Sequence, residues 1–190
     1  MTKSVNTFLL LLLTLGISQA QELSFEEYNP ESTLVVPENP ITRAKFPVVD
    51  IHSHHNMVDK DLSVVVRAMD TLNLAVLVNL SGGSGEKIKG GMANIQKNYP
   101  NRFLLFANVD FSGVGDPGWG ARAASQLKED HANGAVGLKI FKSLGLRYSD
   151  TEGSRIAVDD PRLDAVWEMC ATLGIPVLIH SADPKSFWDP

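Results

Sequence analysis

The chain has 190 residues, of which 44% are hydrophobic and 21% are charged, and this balance is typical of a folded globular protein. Seventeen Lys and Arg residues against 22 Asp and Glu residues give a net charge of −5, without a basic cluster. This argues against nucleic acid or an anionic membrane surface as a partner. The single cysteine, Cys170, excludes an internal disulfide, and we expect it to be a buried structural thiol.

The first 20 residues have the layout of a secretory signal peptide. Lys3 precedes an apolar run from Phe8 to Ile17, and Ser18 and Ala20 place small residues before a cleavage site. The apolar run is too short to span a bilayer comfortably. We therefore predict cleavage after Ala20, a secreted or periplasmic mature protein, and no membrane anchor after cleavage.

Residues 21–46 are polar and contain three prolines, so we interpret them as an extended arm. From residue 47 to residue 190, apolar runs typical of buried parallel strands alternate with helical patterns. Strands are predicted at residues 48–51, 74–80, 103–109, 135–141 and 175–179. Helices are predicted within residues 62–72, 84–98 and 117–133, and from Asp160 as N-cap, with Pro161 at the first helical position, to Gly174. The alternation predicts an α/β fold with parallel strands, either a doubly wound sheet or a (β/α)8 barrel.

Three polar residues alternate at the end of the first predicted strand, within the segment VVDIHSHH. Alternate residues of a strand share a face, so Asp50, His52 and His54 are expected to point the same way. Two imidazoles at this spacing can bind one metal ion from one side. The pattern therefore predicts that His52 and His54 are metal ligands.

Further polar residues lie in or directly after later strands, with Lys139 in the fourth and His180 after the fifth. Functional side chains from several strand ends are typical of a barrel with its active site on the C-terminal rim. A dinucleotide-binding sheet would instead require a G-x-G-x-x-G loop after the first strand, and DIHSHH stands there. These positions favour the TIM-like barrel.

Together, the H-x-H of strand 1, GLKIFKSLGL at residues 137–146 and VLIHSADP at residues 177–184 resemble the amidohydrolase superfamily. The resemblance is to the amidohydrolase-related branch, also called amidohydrolase family 2. It implies a metallo-dependent hydrolase barrel in which His52 and His54 of strand 1 and His180 of strand 5 bind the metal. The family also uses an Asp from strand 8. Residues 47–190 supply five of eight βα units, so the chain looks like a barrel truncated after strand 5, the N-terminal portion of a longer protein.

Three imidazoles favour Zn²⁺ over Mg²⁺ or Ca²⁺, with Mn²⁺ or Fe²⁺ as alternatives. Zinc with an open position lowers the pKa of its water to about 7, and the hydroxide formed can attack a carbonyl carbon. We therefore expect a hydrolase of an amide, ester or lactone bond, acting on a small molecule with a carbonyl or carboxylate group. The alternatives are a non-oxidative decarboxylase, an inactive metal-binding fragment without the strand-8 Asp, and a phosphoesterase that also begins with H-x-H.

Supporting roles are expected for several residues near the predicted site. Asp50 is predicted to hydrogen-bond to a ligand histidine, with a plain structural hydrogen bond as the alternative. Asp183 is predicted either to orient a ligand histidine or to cap the helix that would follow at Pro184. Lys139 is predicted to contact the substrate or the activated water, with a metal bridge or an ion pair as alternatives. Three residues of the loop after strand 4 are candidates for substrate binding, with a solvated loop that has no such role as the alternative: Lys142, Arg147 and Tyr148.

Three features are predicted to have no role in the site. His55 is one residue out of phase with the ligand pair and is expected to face away. His131 falls at the end of a predicted helix, where its charge suits the helix dipole. The glycine-rich residues 81–85 match no phosphate-binding spacing and are interpreted as a flexible loop.

Overall fold

A computed structural model of the chain describes residues 24, 27–37, 39–150 and 152–181. The chain divides into two compact units, Met1–Pro40 and Ile41–Pro190. The described residues of the first unit contain no helix or strand. The predicted signal peptide and its cleavage site lie outside the described residues. Of the helices that the structure describes, none is long and apolar enough to cross a membrane.

In the second unit, strands alternate with helices as the sequence predicts. The strands are β1 (Val48–Ser53), β2 (Leu74–Asn79), β3 (Phe103–Asn108), β4 (Ala135–Ile140) and β5 (Val177–Ile179). The helices are α1 (Ser63–Leu72), α2 (Glu86–Asn98), α3 (Trp119–Ala132), α4 (Ser143–Leu146) and α5 (Asp164–Leu173), with a 3-10 helix (Pro161–Leu163) directly before α5. The α/β prediction is confirmed.

The five strands form one parallel sheet in the order β1-β2-β3-β4-β5. Each strand therefore pairs with its neighbours along the chain. A doubly wound sheet reverses its strand order at a switch point, and the strands described here show no such reversal. The order rules out the doubly wound alternative for this region and is compatible with five βα units of a TIM-like barrel.

Apolar side chains pack on both faces of the sheet. The larger cluster joins the helices to one face and includes Leu105 and Ala107 of β3. Phe106 lies between them in sequence and faces the opposite side, where it packs with Val78 and Leu80. The ring of Phe106 packs against Gly137 of β4. A Cβ at this position would lie 2.5 Å from Phe106 Cζ, so only a glycine leaves room for the ring.

β1 is less covered than the sequence predicts. We expected strands buried on both faces, but the exposed fractions of Val49 and Ile51 are 53% and 62%. The physical reason is position, because β1 is an outer strand that pairs only with β2 among the described strands. The expectation of full burial is therefore wrong for this strand.

Two local predictions around α5 are confirmed, and one helix was not predicted. Asp160 is the N-cap of the 3-10 helix that leads into α5, and its carboxylate accepts a hydrogen bond of 2.9 Å from the backbone N–H of Arg162. Cys170 is buried in α5, and this burial raises the pKa of its thiol. The short helix α4 occupies the segment after β4 that the sequence indicated as loop.

Candidate metal centre

The C-terminal end of β1 brings two imidazole rings together. His52 is the penultimate residue of β1, and His54 follows its last residue, Ser53. Their Nε2 atoms lie 3.1 Å apart. The ring centroids are separated by 5.1 Å and the ring planes are inclined by 66°. The alternation of side chains along the strand thus places both rings on one face with their outer nitrogens converging.

Two nitrogens at this spacing fit a single metal ion. A Zn–N bond is about 2.0–2.1 Å long, so an ion bonded to both Nε2 atoms would have an N–Zn–N angle of roughly 100° at the observed 3.1 Å. The ideal tetrahedral angle is about 109°. The pair therefore needs only a small adjustment to supply two corners of a zinc site, and imidazole also suits iron.

The other ring nitrogen of His54 is held by Ser81, a residue that the sequence analysis did not identify. Nδ1 of His54 lies 2.7 Å from the Ser81 hydroxyl. An imidazole whose Nδ1–H donates to such a partner is fixed in orientation and leaves the Nε2 lone pair available.

The glycine-rich loop that begins with Ser81 is also fixed to β3, because Gly83 and Asn108 exchange hydrogen bonds of 2.9 and 2.7 Å. The structure thus shows an anchored segment where we expected a flexible loop.

Asn79, the last residue of β2, fixes the backbone that follows the imidazole pair. Its side chain is fully buried, and its Oδ1 accepts a hydrogen bond of 2.8 Å from the N–H of His55. Its Nδ2 donates to the carbonyl oxygen of His55 at 3.1 Å. On the other side of His54, the Ser53 hydroxyl donates to the carbonyl oxygen of Val78 at 3.0 Å. β2 therefore holds both neighbours of His54 in place.

Asp50 supports the same segment from within β1. Its Oδ1 accepts a hydrogen bond of 2.9 Å from the backbone N–H of His52. The sequence predicted a contact between this carboxylate and a ligand histidine. The contact is with the backbone of His52 rather than with its ring, so Asp50 shapes the end of the strand.

Lys139 lies in β4 with only 2% of its surface exposed. Its Nζ is 5.8 Å from the centroid of the Phe141 ring, which in turn is 5.9 Å from the ring of His54. No ion pair with a carboxylate is found for Lys139 in the part of the chain that the structure describes. Burial lowers the pKa of Lys139. Partial burial also lowers the pKa of His54, and the positive charges of His52, Lys139 and His55 lower it further.

His180 directly follows β5, and its backbone N–H donates to the carbonyl oxygen of Ile140 at 3.0 Å. Within residues 24–181, as far as they are described, no three His, Cys, Asp or Glu side chains form a group arranged to hold a metal ion. The structure thus brings His52 and His54 together but does not bring His180 to them as a third ligand. Asp183 lies outside the described residues.

The residues predicted to bind substrate follow β4 at the same edge of the sheet. Lys142 and Arg147 flank the short helix α4 and are exposed. Tyr148 is half-buried, and its ring centroid lies 5.6 Å from that of Phe111, so its ring packs against the core on the helix side. The described contacts of Tyr148 are therefore structural.

A cavity of about 490 Å³ opens beside the imidazole pair. It is lined by His54, His55, Asn56, Val58, Ser81 and Lys87. His55, which we expected to face away from the ligand pair, is among these lining residues. His131 lies in the last turn of α3, as predicted, with its Nδ1 2.8 Å from the carbonyl oxygen of Ala135.

In comparisons with known proteins, no family model, no curated protein and no solved structure matches this chain. The resemblance to the amidohydrolase superfamily therefore rests on the motifs at the strand ends and stays a prediction.

Proposed function

We propose that this protein is a metal-dependent hydrolase of the amidohydrolase type, which cleaves an amide, ester or lactone bond. The observation that carries this proposal is the convergence of the His52 and His54 Nε2 atoms to 3.1 Å. The Ser81 hydroxyl at Nδ1 of His54 adds the outer hydrogen bond that metal-binding histidines almost always make. The location at the C-terminal ends of parallel strands also supports the proposal, because active sites of TIM-like barrels lie there.

His52 and His54 would hold the ion through Nε2. The resemblance implies His180 as the third ligand, although its described position at the end of β5 does not bring its ring to the pair. Three imidazoles favour Zn²⁺, with Mn²⁺ or Fe²⁺ as alternatives. When bound, such an ion acts as a Lewis acid that polarises a carbonyl group and makes water more acidic.

The remaining residues of the site would orient the two imidazoles and stabilise the charge that develops on the substrate. Ser81 holds the ring of His54, while Asn79 and Asp50 fix the backbone on which both imidazoles stand. Lys139 contributes a buried positive charge that stabilises the negative charge developing on the carbonyl oxygen as its carbon becomes tetrahedral. This charge is effective because surroundings of low dielectric constant screen it little.

A hydrolysis assay tests the proposal. Zinc-loaded protein is incubated with p-nitrophenyl acetate, an aromatic lactone and an acyl anilide, before chelation, after chelation and after zinc is restored. We expect at least one substrate to be hydrolysed, with activity lost on chelation and regained with zinc. His52→Ala should be inactive, while the control His131→Gln, in the last turn of α3, should match the wild type.

Two other outcomes would overturn the hydrolase assignment. Release of CO₂ from a carboxylated aromatic, without hydrolysis of the three probes, would assign the site to non-oxidative decarboxylation. Zinc binding without turnover of either kind of substrate would assign the chain as a metal-binding protein without activity.

A further inference from the structure

We propose that the substrate is an anion, and that its carboxylate group binds beside Lys87 in the cavity next to His54. We call this space the Lys87 cavity; its lining is the six residues named above. That this anion is a substrate rests on the proposed function. That the cavity binds an anion rests only on the shape and the charges of the cavity, which do not depend on a metal.

The lining of the Lys87 cavity has an unbalanced charge. Its volume of about 490 Å³ is adequate for a small molecule. Its polar groups are one ammonium, two imidazoles, one amide and one hydroxyl, and the described lining contains no carboxylate. A concave site with a cation and several hydrogen-bond donors attracts a negatively charged group.

The position of the Lys87 side chain is set by Gly83 in the glycine-rich loop before α2. A Cβ at Gly83 would lie 2.8 Å from Cδ and 3.0 Å from Cβ of Lys87, so the lysine stem packs directly on this glycine. In the same turn of α2, Lys89 is paired with Glu86 at 3.0 Å and with Glu129 at 3.1 Å. Lys87 has no ion pair among the described residues. Its ammonium is thus available to an anion in the cavity, whereas that of Lys89 is neutralised.

A second positive charge, that of Lys139, lies close enough to His54 to lower the pKa of its imidazole. Lys139 is buried against Phe141 without a carboxylate partner among the described residues. A buried ammonium without a counter-ion is costly, and an anionic ligand relieves this cost. Lys87 in the cavity lining and Lys139 near His54 therefore both favour an anionic ligand over a neutral one.

A carboxylate fits better than a phosphate. Phosphates commonly bind at the free N–H groups of a helix N-terminus. At the N-terminus of α2, the N–H of Gly85 already donates to Oδ1 of Asp130 at 2.6 Å. The negative charge of this carboxylate, which is 1% exposed, disfavours a dianionic phosphate at that end of the helix.

The test uses metal-free protein. A failure of the anion-site proposal can then be distinguished from a failure of the hydrolase proposal, because only the second depends on the metal. Binding of benzoate, of its neutral analogue benzamide and of inorganic phosphate is followed by NMR titration. We expect benzoate to bind more tightly than either other probe. Lys87→Met should weaken benzoate binding about fivefold and leave benzamide unchanged, because an ion pair near the surface is worth at most about that factor.

Matched variants make the test specific. Lys97→Met, at the far end of α2, should bind benzoate like the wild type, and Lys87→Arg should retain binding. Equal weakening by Lys87→Met and Lys97→Met would overturn the proposal. Equal affinity for benzoate and benzamide, tighter binding of phosphate, or no benzoate binding would also overturn it.

Discussion

Replacing Asn79 with alanine tests whether β2 positions the imidazole pair. The change removes the two hydrogen bonds, of 2.8 and 3.1 Å, that join this buried side chain to the backbone of His55. Each such bond contributes about 0.5–1.5 kcal/mol net, so we expect the free energy of unfolding to fall by about 1–3 kcal/mol. For a domain of this size, each kcal/mol corresponds to a fall in Tm of about 2–4 °C.

The same substitution should weaken zinc binding, because the segment that carries His54 loses its attachment. Loss of a supporting contact around a metal ligand typically reduces metal affinity about 10–100-fold. Urea unfolding followed by circular dichroism measures the stability of the metal-free protein, and competition with a chromophoric chelator measures the zinc affinity. Asn98→Ala is the matched control. Among the described residues, the hydrogen bond of this exposed side chain is to Asn94 Oδ1, at 2.7 Å, so its loss should change stability by less than about 0.5 kcal/mol.

Two results would refute this reasoning. If Asn79→Ala unfolds at the same urea concentration as Asn98→Ala, the hydrogen bonds to His55 do not stabilise the fold. If Asn79→Ala is less stable but binds zinc like the wild type, the position of the imidazole pair does not depend on β2.

Three further predictions concern packing, the site and acid stability. Gly137→Ala should lower the free energy of unfolding by about 1–3 kcal/mol, because the added Cβ would meet the Phe106 ring. The control Gly145→Ala, whose added Cβ has nothing within 4 Å, should not destabilise the protein. Equal urea midpoints for the two variants would contradict this prediction. Ser81→Ala should bind zinc about 10–100-fold more weakly in the chelator competition, and unchanged affinity would exclude its role. Hydrogen bonds from Arg162 lower the pKa of Asp160 from 3.8 to about 2, so its stabilising effect is complete above pH 3.8 and is lost as the pH falls towards 2. The wild type should therefore have a higher Tm than Asp160→Asn above pH 3.8, and this difference should vanish as the pH falls towards 2. A difference that stays constant with pH would show that the ionised carboxylate of Asp160 does not stabilise the fold.

Much of the fold could be predicted from local patterns. Continuous apolar runs marked all five strands, and Asp160 followed by Pro161 marked the start of the last helical segment. Both signals depend on residues close together in the chain. The exposure of Val49 and Ile51 could not be predicted in this way, because it depends on which strands lie beside β1.

The site was predictable only where its residues lie on one strand. His52 and His54 share a face because the strand alternates, so their convergence follows from the sequence. Ser81 and Lys87 reach the site through the register of β2 against β1 and the course of the loop that follows β2. A single hydroxyl or lysine after a strand carries no local signal of such a contact. Asn79 resembles any polar residue at a strand end until its two hydrogen bonds to the backbone of His55, beyond the end of β1, are visible.

Zinc content and zinc coordination in three proteins test the central claim most directly. Elemental analysis of the zinc-loaded wild type should find one ion per chain, and X-ray absorption should show at least two imidazole nitrogens at about 2.0–2.1 Å from it. His52→Ala should lose most of the bound zinc, whereas the neighbouring variant His55→Ala should keep it. A wild-type protein that binds no zinc, or a His52→Ala variant that binds as much as the wild type, would contradict a metal centre at the end of β1.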